Sequence, residues 1–125
     1  MTKKNEYIFD EVTAIMYKNY FGEITLEDIS SSWDYVFEHN LIPKGTKRFI
    51  LNYKQASFNI RISEYPGIAE YYRNHLDVFE GCRIGIVTNV NKDYVIPVMV
   101  EKLDEGYGSR PFGDLEDAVE WVVGV

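Results

Sequence analysis

The sequence predicts a single α/β domain spanning residues 1–125, in which a mostly parallel or mixed sheet of about five strands is covered by about four helices. Three observations predict it. Short apolar runs suited to strands alternate with stretches whose apolar residues recur at helical spacing. The clearest helical stretches open on a hydroxyl, a proline or a carboxylate, the residues that start helices. The 125 residues are 46% hydrophobic and 26% charged, enough for one core and too few for two.

The elements follow in order. Tyr7-Ile8-Phe9 and Ile15-Met16-Tyr17 alternate apolar and polar positions around a turn at Asp10-Glu11, which reads as a hairpin closed by Phe21-Gly22. Thr25 caps a helix with Glu27 and Asp28 in its first turn, where the macrodipole favours carboxylates. Leu26, Ile29, Trp33, Val36 and Phe37 form its apolar stripe, and Ile42-Pro43-Lys44-Gly45 breaks the pattern. The polar loop Lys44-Gly45-Thr46-Lys47-Arg48 leads into Phe49-Ile50-Leu51, a short run suited to a strand covered on both faces. Phe58, Ile60 and Ile62 alternate with polar residues, as in a short strand or an extended loop.

Pro66 opens a second helix with Ile68, Tyr72, Leu76 and Phe79 at helical spacing, ended by Glu80-Gly81. Residues Arg83 to Thr88 read as a buried strand in which Gly85 admits a close neighbour. Asn91 to Leu103 reads as a helix that tolerates Pro97 only in its first turn or at a kink. Arg110-Pro111-Phe112 is a short extended piece, and Asp114 caps a last helix with Leu115, Ala118, Val119 and Val122 on its core side.

Four of these stretches, in this order, resemble the SpoIIAA-like (STAS-like) proteins. They are Tyr20-Phe21-Gly22-Glu23-Ile24-Thr25-Leu26-Glu27-Asp28, Phe49-Ile50-Leu51-Asn52-Tyr53 with Ala56 following, Arg83-Ile84-Gly85-Ile86-Val87-Thr88, and Phe112 with Asp117-Ala118-Val119-Glu120-Trp121-Val122. The resemblance covers almost the whole chain and implies the SpoIIAA-like fold, which is also compared with CRAL-TRIO lipid-binding domains. It implies little chemistry, because its motifs mark the fold and most such proteins have no assigned activity. The anti-sigma-factor antagonists of the wider family carry a phosphorylatable Ser in an Asp-Ser-Ser-Gly-like turn. The corresponding stretch here, Asn52 to Phe58, lacks that chemistry, so no phosphorylation switch is expected at Ser57.

Composition excludes several classes. With 13 Lys+Arg against 20 Asp+Glu, the net charge is −7 and the bases are scattered, so no nucleic-acid partner is expected. The apolar run from Tyr94 to Val100 is far short of the ~20 residues that span a bilayer. Met1 to Glu6 shows no signal-peptide pattern and Cys82 is a lone cysteine, so the cytoplasm is the expected location.

No Gly-rich phosphate loop, nucleophile elbow or Cys-x-x-Cys pair occurs. Cys82 reads as inert packing, and His39 and His75 as helix-end residues without metal-ligand partners. The acids Glu23, Glu27 and Asp28, and Asp114, Glu116 and Asp117, read as capping and first-turn groups. No enzyme, metal or cofactor is therefore expected.

One quantity stands out, an aromatic fraction of 15% with ten Tyr. Tyr20, Tyr35, Tyr71 and Tyr107 fall off the core stripes and are the candidate recognition surface. Two function classes follow. The first is a protein-interaction module, self-associating through a sheet edge near Tyr7 to Tyr17. The alternative, which the comparison with CRAL-TRIO domains implies, is a carrier or sensor of a small apolar ligand or lipid.

Overall fold

In the computed structural model, residues 4–89 and 93–124 are described. Strand β1 (Asn5–Asp10) and strand β2 (Ile15–Ile24) form the expected hairpin. Asp10 builds the turn by accepting from the Val12 N–H at 3.1 Å and the Thr13 hydroxyl at 2.9 Å. Helix α1 (Leu26–Glu38) carries a full capping box. The Thr25 hydroxyl accepts from the Asp28 N–H at 3.1 Å, and the Asp28 carboxylate accepts from the Thr25 N–H at 2.9 Å. Strand β3 (Arg48–Phe58), helices α2 (Tyr65–Arg73) and α3 (Leu76–Phe79), strand β4 (Arg83–Val87), helix α4 (Val95–Glu101), strand β5 (Gly108–Phe112) and helix α5 (Leu115–Val123) complete the order.

The sheet runs β1-β2-β3-β4-β5, antiparallel at the first pair and parallel at the other three. Alternation along each strand sorts the two faces. Met16, Tyr20, Phe49, Leu51, Tyr53, Ile84 and Ile86 face the larger core beneath α1 to α4, whereas Ile15, Ile50 and Val87 meet Ala118 and Val122 of α5. Trp33 centres the larger core, fully buried, its ring 5.1 Å from Phe79, 5.8 Å from Phe49 and 6.2 Å from Tyr72. At Gly85 a Cβ would meet Ile50, Val122 and Ala118 at 3.1 to 3.3 Å, so the close approach read from the sequence is what α5 uses.

Several boundaries differ from the expectation. Phe21-Gly22 does not close β2, which continues to Ile24 through an irregularity in its pairing with β3 and a Gly22 at φ +77°. Strand β3 runs to Phe58, absorbing the polar Lys54 and Gln55, and Ile62 starts a 3-10 turn instead of a strand. The second helix splits at Asn74 and His75, so the described residues form five α-helices where about four were expected. Helix α4 begins at Val95, which puts Pro97 in its first turn; Asn91 and Lys92 lie outside the described residues. Leu115 is exposed and not a core position, because α5 buries chiefly Ala118 and Val122.

Candidate functional site

Strand β2 places a lysine inside the larger core. Its inward positions alternate Met16, Lys18 and Tyr20, and Lys18 is 1% exposed. Pairing with β1 sets Tyr7 directly opposite Lys18. Above them passes α1, where Asp28, Ser32 and Tyr35 recur at i, i+4 and i+7 on the flank of the Ile29–Trp33–Val36 stripe. Three elements thus converge on one amine.

The Lys18 Nζ donates to the Tyr20 hydroxyl at 2.6 Å and makes a short hydrogen bond to the Ser32 hydroxyl. Its remaining direction faces the Trp33 ring, whose centroid is 4.0 Å away, with the Tyr20 and Tyr7 rings at 4.9 and 5.7 Å. Tyr20 and Ser32 hydroxyl oxygens are 3.2 Å apart, and Ser32 donates to the Ile29 carbonyl at 2.8 Å. The Tyr7 hydroxyl donates to the Ser32 carbonyl at 3.1 Å, tying β1 to α1.

Among the described residues the ion pairs are Lys4–Asp28 and Arg110–Glu101, so Lys18 has no carboxylate within ion-pair distance. Burial without a counter-charge pushes the Lys18 ammonium well below the usual lysine range. Burial raises the neighbouring phenols: Tyr7 is pushed up to about 12, helped by Tyr35, and Tyr20 rises further. Tyr53, whose ring stacks on Tyr20 at 4.3 Å, is raised by burial and by Tyr20.

A cleft of about 430 Å³ opens between β1 and α1; Tyr7, Tyr20 and Ser32 of this cluster line it, and Lys18 lies behind them. Tyr20 and Ser32 form its floor, Tyr7, Tyr35, Ile24 and Leu41 its walls. The Tyr7 and Tyr35 rings lie nearly parallel, 6.4 Å apart. At the mouth, Lys4 holds Asp28 at 3.1 Å and the Glu23 carbonyl at 3.0 Å. Burial pushes the Asp28 carboxyl up, but the Thr25 N–H and Lys4 outweigh that and hold it below the usual carboxylate range. A second cleft, of about 590 Å³, lies between Phe37, Ile42, Lys47 and His75. It is larger, but the buried titratable group beneath it is the thiol of Cys82, which is spent on the Thr46 and Val78 carbonyls, and no buried base stands there. The β1–α1 cleft is therefore the candidate site.

The structure does not bring the four tyrosines of the expected recognition surface together. Tyr20 and Tyr107 are core residues, 1% and 7% exposed. Tyr20 is buried because its hydroxyl finds Lys18 and Ser32, and Tyr107 because its ring packs on Tyr72 at 5.4 Å. Tyr35 is half exposed and joins Tyr20 at the cleft, while Tyr71 lies elsewhere, donating to Asp34 at 2.5 Å. Lys18 and Ser32 were not singled out from the sequence. The available signal was the Met16-Lys18-Tyr20 alternation, which puts a lysine where the flanking residues demand burial.

Other expectations meet local explanations. Cys82 is buried, and burial raises its thiol. Both His39 and His75 donate from Nδ1 to a carbonyl one turn earlier, Tyr35 and Tyr71. Asp114 caps α5 by accepting from the Glu116 and Asp117 N–H groups. Among the described residues no group of three His, Cys, Asp or Glu is placed to hold a metal ion. No described helix is long and apolar enough to cross a membrane.

The whole architecture superposes on a crystal structure of an uncharacterized DUF3478-family protein with a SpoIIAA-like fold, from Shewanella loihica PV-4. The match has a TM-score of 0.61 over 98% of each chain, at 14% sequence identity. The fold is SpoIIAA-like. At that identity the likeness speaks for the fold alone. No protein-family model matches the sequence, and no curated protein does. Within this SpoIIAA-like frame, the stretch Asn52 to Phe58 is strand and not a turn at a helix start, with Ser57 paired to Glu23 of β2.

Proposed function

We propose that this protein is a non-enzymatic binding module that holds a small ligand in the β1–α1 cleft. One observation carries the reading: an aromatic-walled cleft stands over a buried amine and two hydroxyls. Ligand sites are typically apolar concavities with a few polar groups that fix orientation. Tyr7 and Tyr35 supply the apolar walls; Tyr20 and Ser32 supply the orienting hydroxyls. A lone buried Cys82 agrees with a reducing, cytoplasmic setting. This favours the ligand-carrier alternative read from the sequence, because two of the four tyrosines of the surface reading are spent in the core.

Isotope-labelled protein titrated with small aromatic and aliphatic alcohols, amides and acids tests it. Shifts should concentrate on the amides of Tyr7, Tyr20, Ser32 and Tyr35, and Tyr35→Ala should weaken them. Shifts confined to α5, or none with any probe, would contradict it.

A second reading, the protein-interaction module, has its own observation. Among the described residues the outer edge of β1 has no strand partner, and beside it Ile8 is 52% and Val12 94% exposed. Edge-to-edge pairing of two copies would cover both, giving a homodimer of twice 14.6 kDa. Sedimentation that stays at the single-chain mass at high concentration would remove this reading.

A further inference from the structure

We infer that the occupant of the β1–α1 cleft is a small monocarboxylic acid with an apolar or aromatic body, its carboxylate seated on Tyr20 and Ser32 above Lys18. The inference rests on the ligand reading of the cleft and adds the ligand's charge.

Lys18 is the one buried base among the described residues. Its polar contacts are hydroxyls and aromatic faces, which orient an ammonium without neutralising it. A cation buried so deeply is costly unless an anion approaches it. The described residues supply none: the acid lining the cleft, Asp28, is engaged by Lys4 and by the Thr25 N–H at the mouth. A carboxylate accepting from the Tyr20 hydroxyl, and from a Ser32 hydroxyl turned away from the Ile29 carbonyl, would stand one hydroxyl removed from Nζ and complete the charge. Neutral ligands would use the hydroxyls and leave the amine without purpose. A dianion would bring a second negative charge that nothing on the floor balances.

The groups facing Lys18 are Tyr7 from β1, Tyr20 from its own strand, and Ser32 and Trp33 from α1. Tyr53 of β3 and Tyr72 of α2 stand behind Tyr20 and Trp33, and Lys4 and Asp28 stand at the mouth. Burial raises the phenols and keeps them neutral across the physiological range, so Lys18 is the group of this set that takes up the proton.

The proton balance is simple. Burial disfavours the ammonium form of Lys18 in the free protein; when Nζ is unprotonated, the Tyr20 O–H donates to its lone pair. A carboxylate arriving from water brings one proton with it to Nζ. If the acid enters protonated, its proton passes to the Tyr20 oxygen as Tyr20's own proton passes to Nζ. The acid becomes a carboxylate, the amine an ammonium, and Tyr20 remains a phenol. No bond to carbon forms or breaks.

Matched acid and amide pairs test this: phenylacetate with phenylacetamide, indole-3-acetate with indole-3-acetamide, octanoate with octanamide. Calorimetric titration in phosphate and in Tris separates proton uptake from binding heat. At least one acid should bind about tenfold or more tighter than its amide, as expected for hydrogen bonds that gain a charged partner. It should take up about one proton, with affinity falling as pH rises. Lys18→Met should abolish the preference and the uptake while keeping the amide's affinity, and Tyr20→Phe should weaken both. A thermal melt of each variant establishes that it is folded. Amides binding as well as acids, or an acid preference that survives Lys18→Met, would overturn the carboxylate inference and leave the cleft as a ligand site. No binding by any pair at millimolar concentration would reject both.

Discussion

The Lys18 side-chain nitrogen lies 4.0 Å from the centroid of the Trp33 ring, and no carboxylate among the described residues reaches it. This pair joins β2 to α1 at the centre of the larger core. It couples the residue the fold most needs, Trp33, to the residue the fold least tolerates without recompense. Such buried groups mark sites where stability has been given up for something else.

Replacing Lys18 by Met should stabilise the protein. Met keeps an unbranched stem of similar length, removes the buried amine, and leaves the Tyr20 and Ser32 hydroxyls 3.2 Å apart to bond each other. A gain of about 1–3 kcal/mol in denaturant unfolding at neutral pH is expected, in line with replacing buried ionic groups by apolar ones. A loss of that size would mean that the contact with Trp33 more than offsets desolvation.

Trp33→Ala should cost roughly 3–5 kcal/mol, a large part of the stability of a domain this size. Its ring meets Phe49, Phe79 and Tyr72 and is fully buried. A loss below about 1 kcal/mol in equilibrium unfolding would contradict this placement.

The α1 helix was legible because its signals are local: the Thr25–Asp28 capping box and the stripe through Trp33 lie within four turns of chain. Strand β3 was legible only from Phe49 to Leu51. Beyond Asn52 its neighbour β4 has stopped, so the far end pairs with β2 alone and can expose Lys54 and Gln55. Nothing local marks such an overhang. Lys18 was hidden for a related reason, since its partners Tyr7, Tyr20 and Ser32 come from three elements and only the assembled sheet brings them together. Tyr20 and Tyr107 were read as surface because they fall off the core stripes, yet the core holds both rings.

The back of the sheet offers a paired substitution. Gly85→Ala would press a methyl against Ile50, Val122 and Ala118 at 3.1 to 3.3 Å, and should cost about 1–3 kcal/mol by overpacking. Gly108→Ala meets nothing within 4 Å and should be close to neutral. Equal melting temperatures for the two variants would show that α5 is not seated on Gly85.

Stability should peak at mildly alkaline pH. Lys18 has a folded pKa below its unfolded value of about 10.4, so the unfolded chain binds more protons and stability rises with pH through that interval. The raised phenols of Tyr7, Tyr20, Tyr53 and Tyr72 act oppositely. Their contribution is complete below about pH 10 and is lost as pH climbs through their folded values. Denaturant midpoints across pH should trace this dome, and Lys18→Met should flatten its rising limb while leaving the alkaline fall. An unchanged rising limb in the variant would remove Lys18 as its source.

The most direct test of the account is the titration of Lys18 itself, followed by NMR at its side-chain ε position in the free protein and with indole-3-acetate. The account predicts a free midpoint well below the ~10.4 of ordinary lysines, moving upward when the acid is bound. Lys18 titrating with the surface lysines, and unmoved by every acid of the panel, would contradict it.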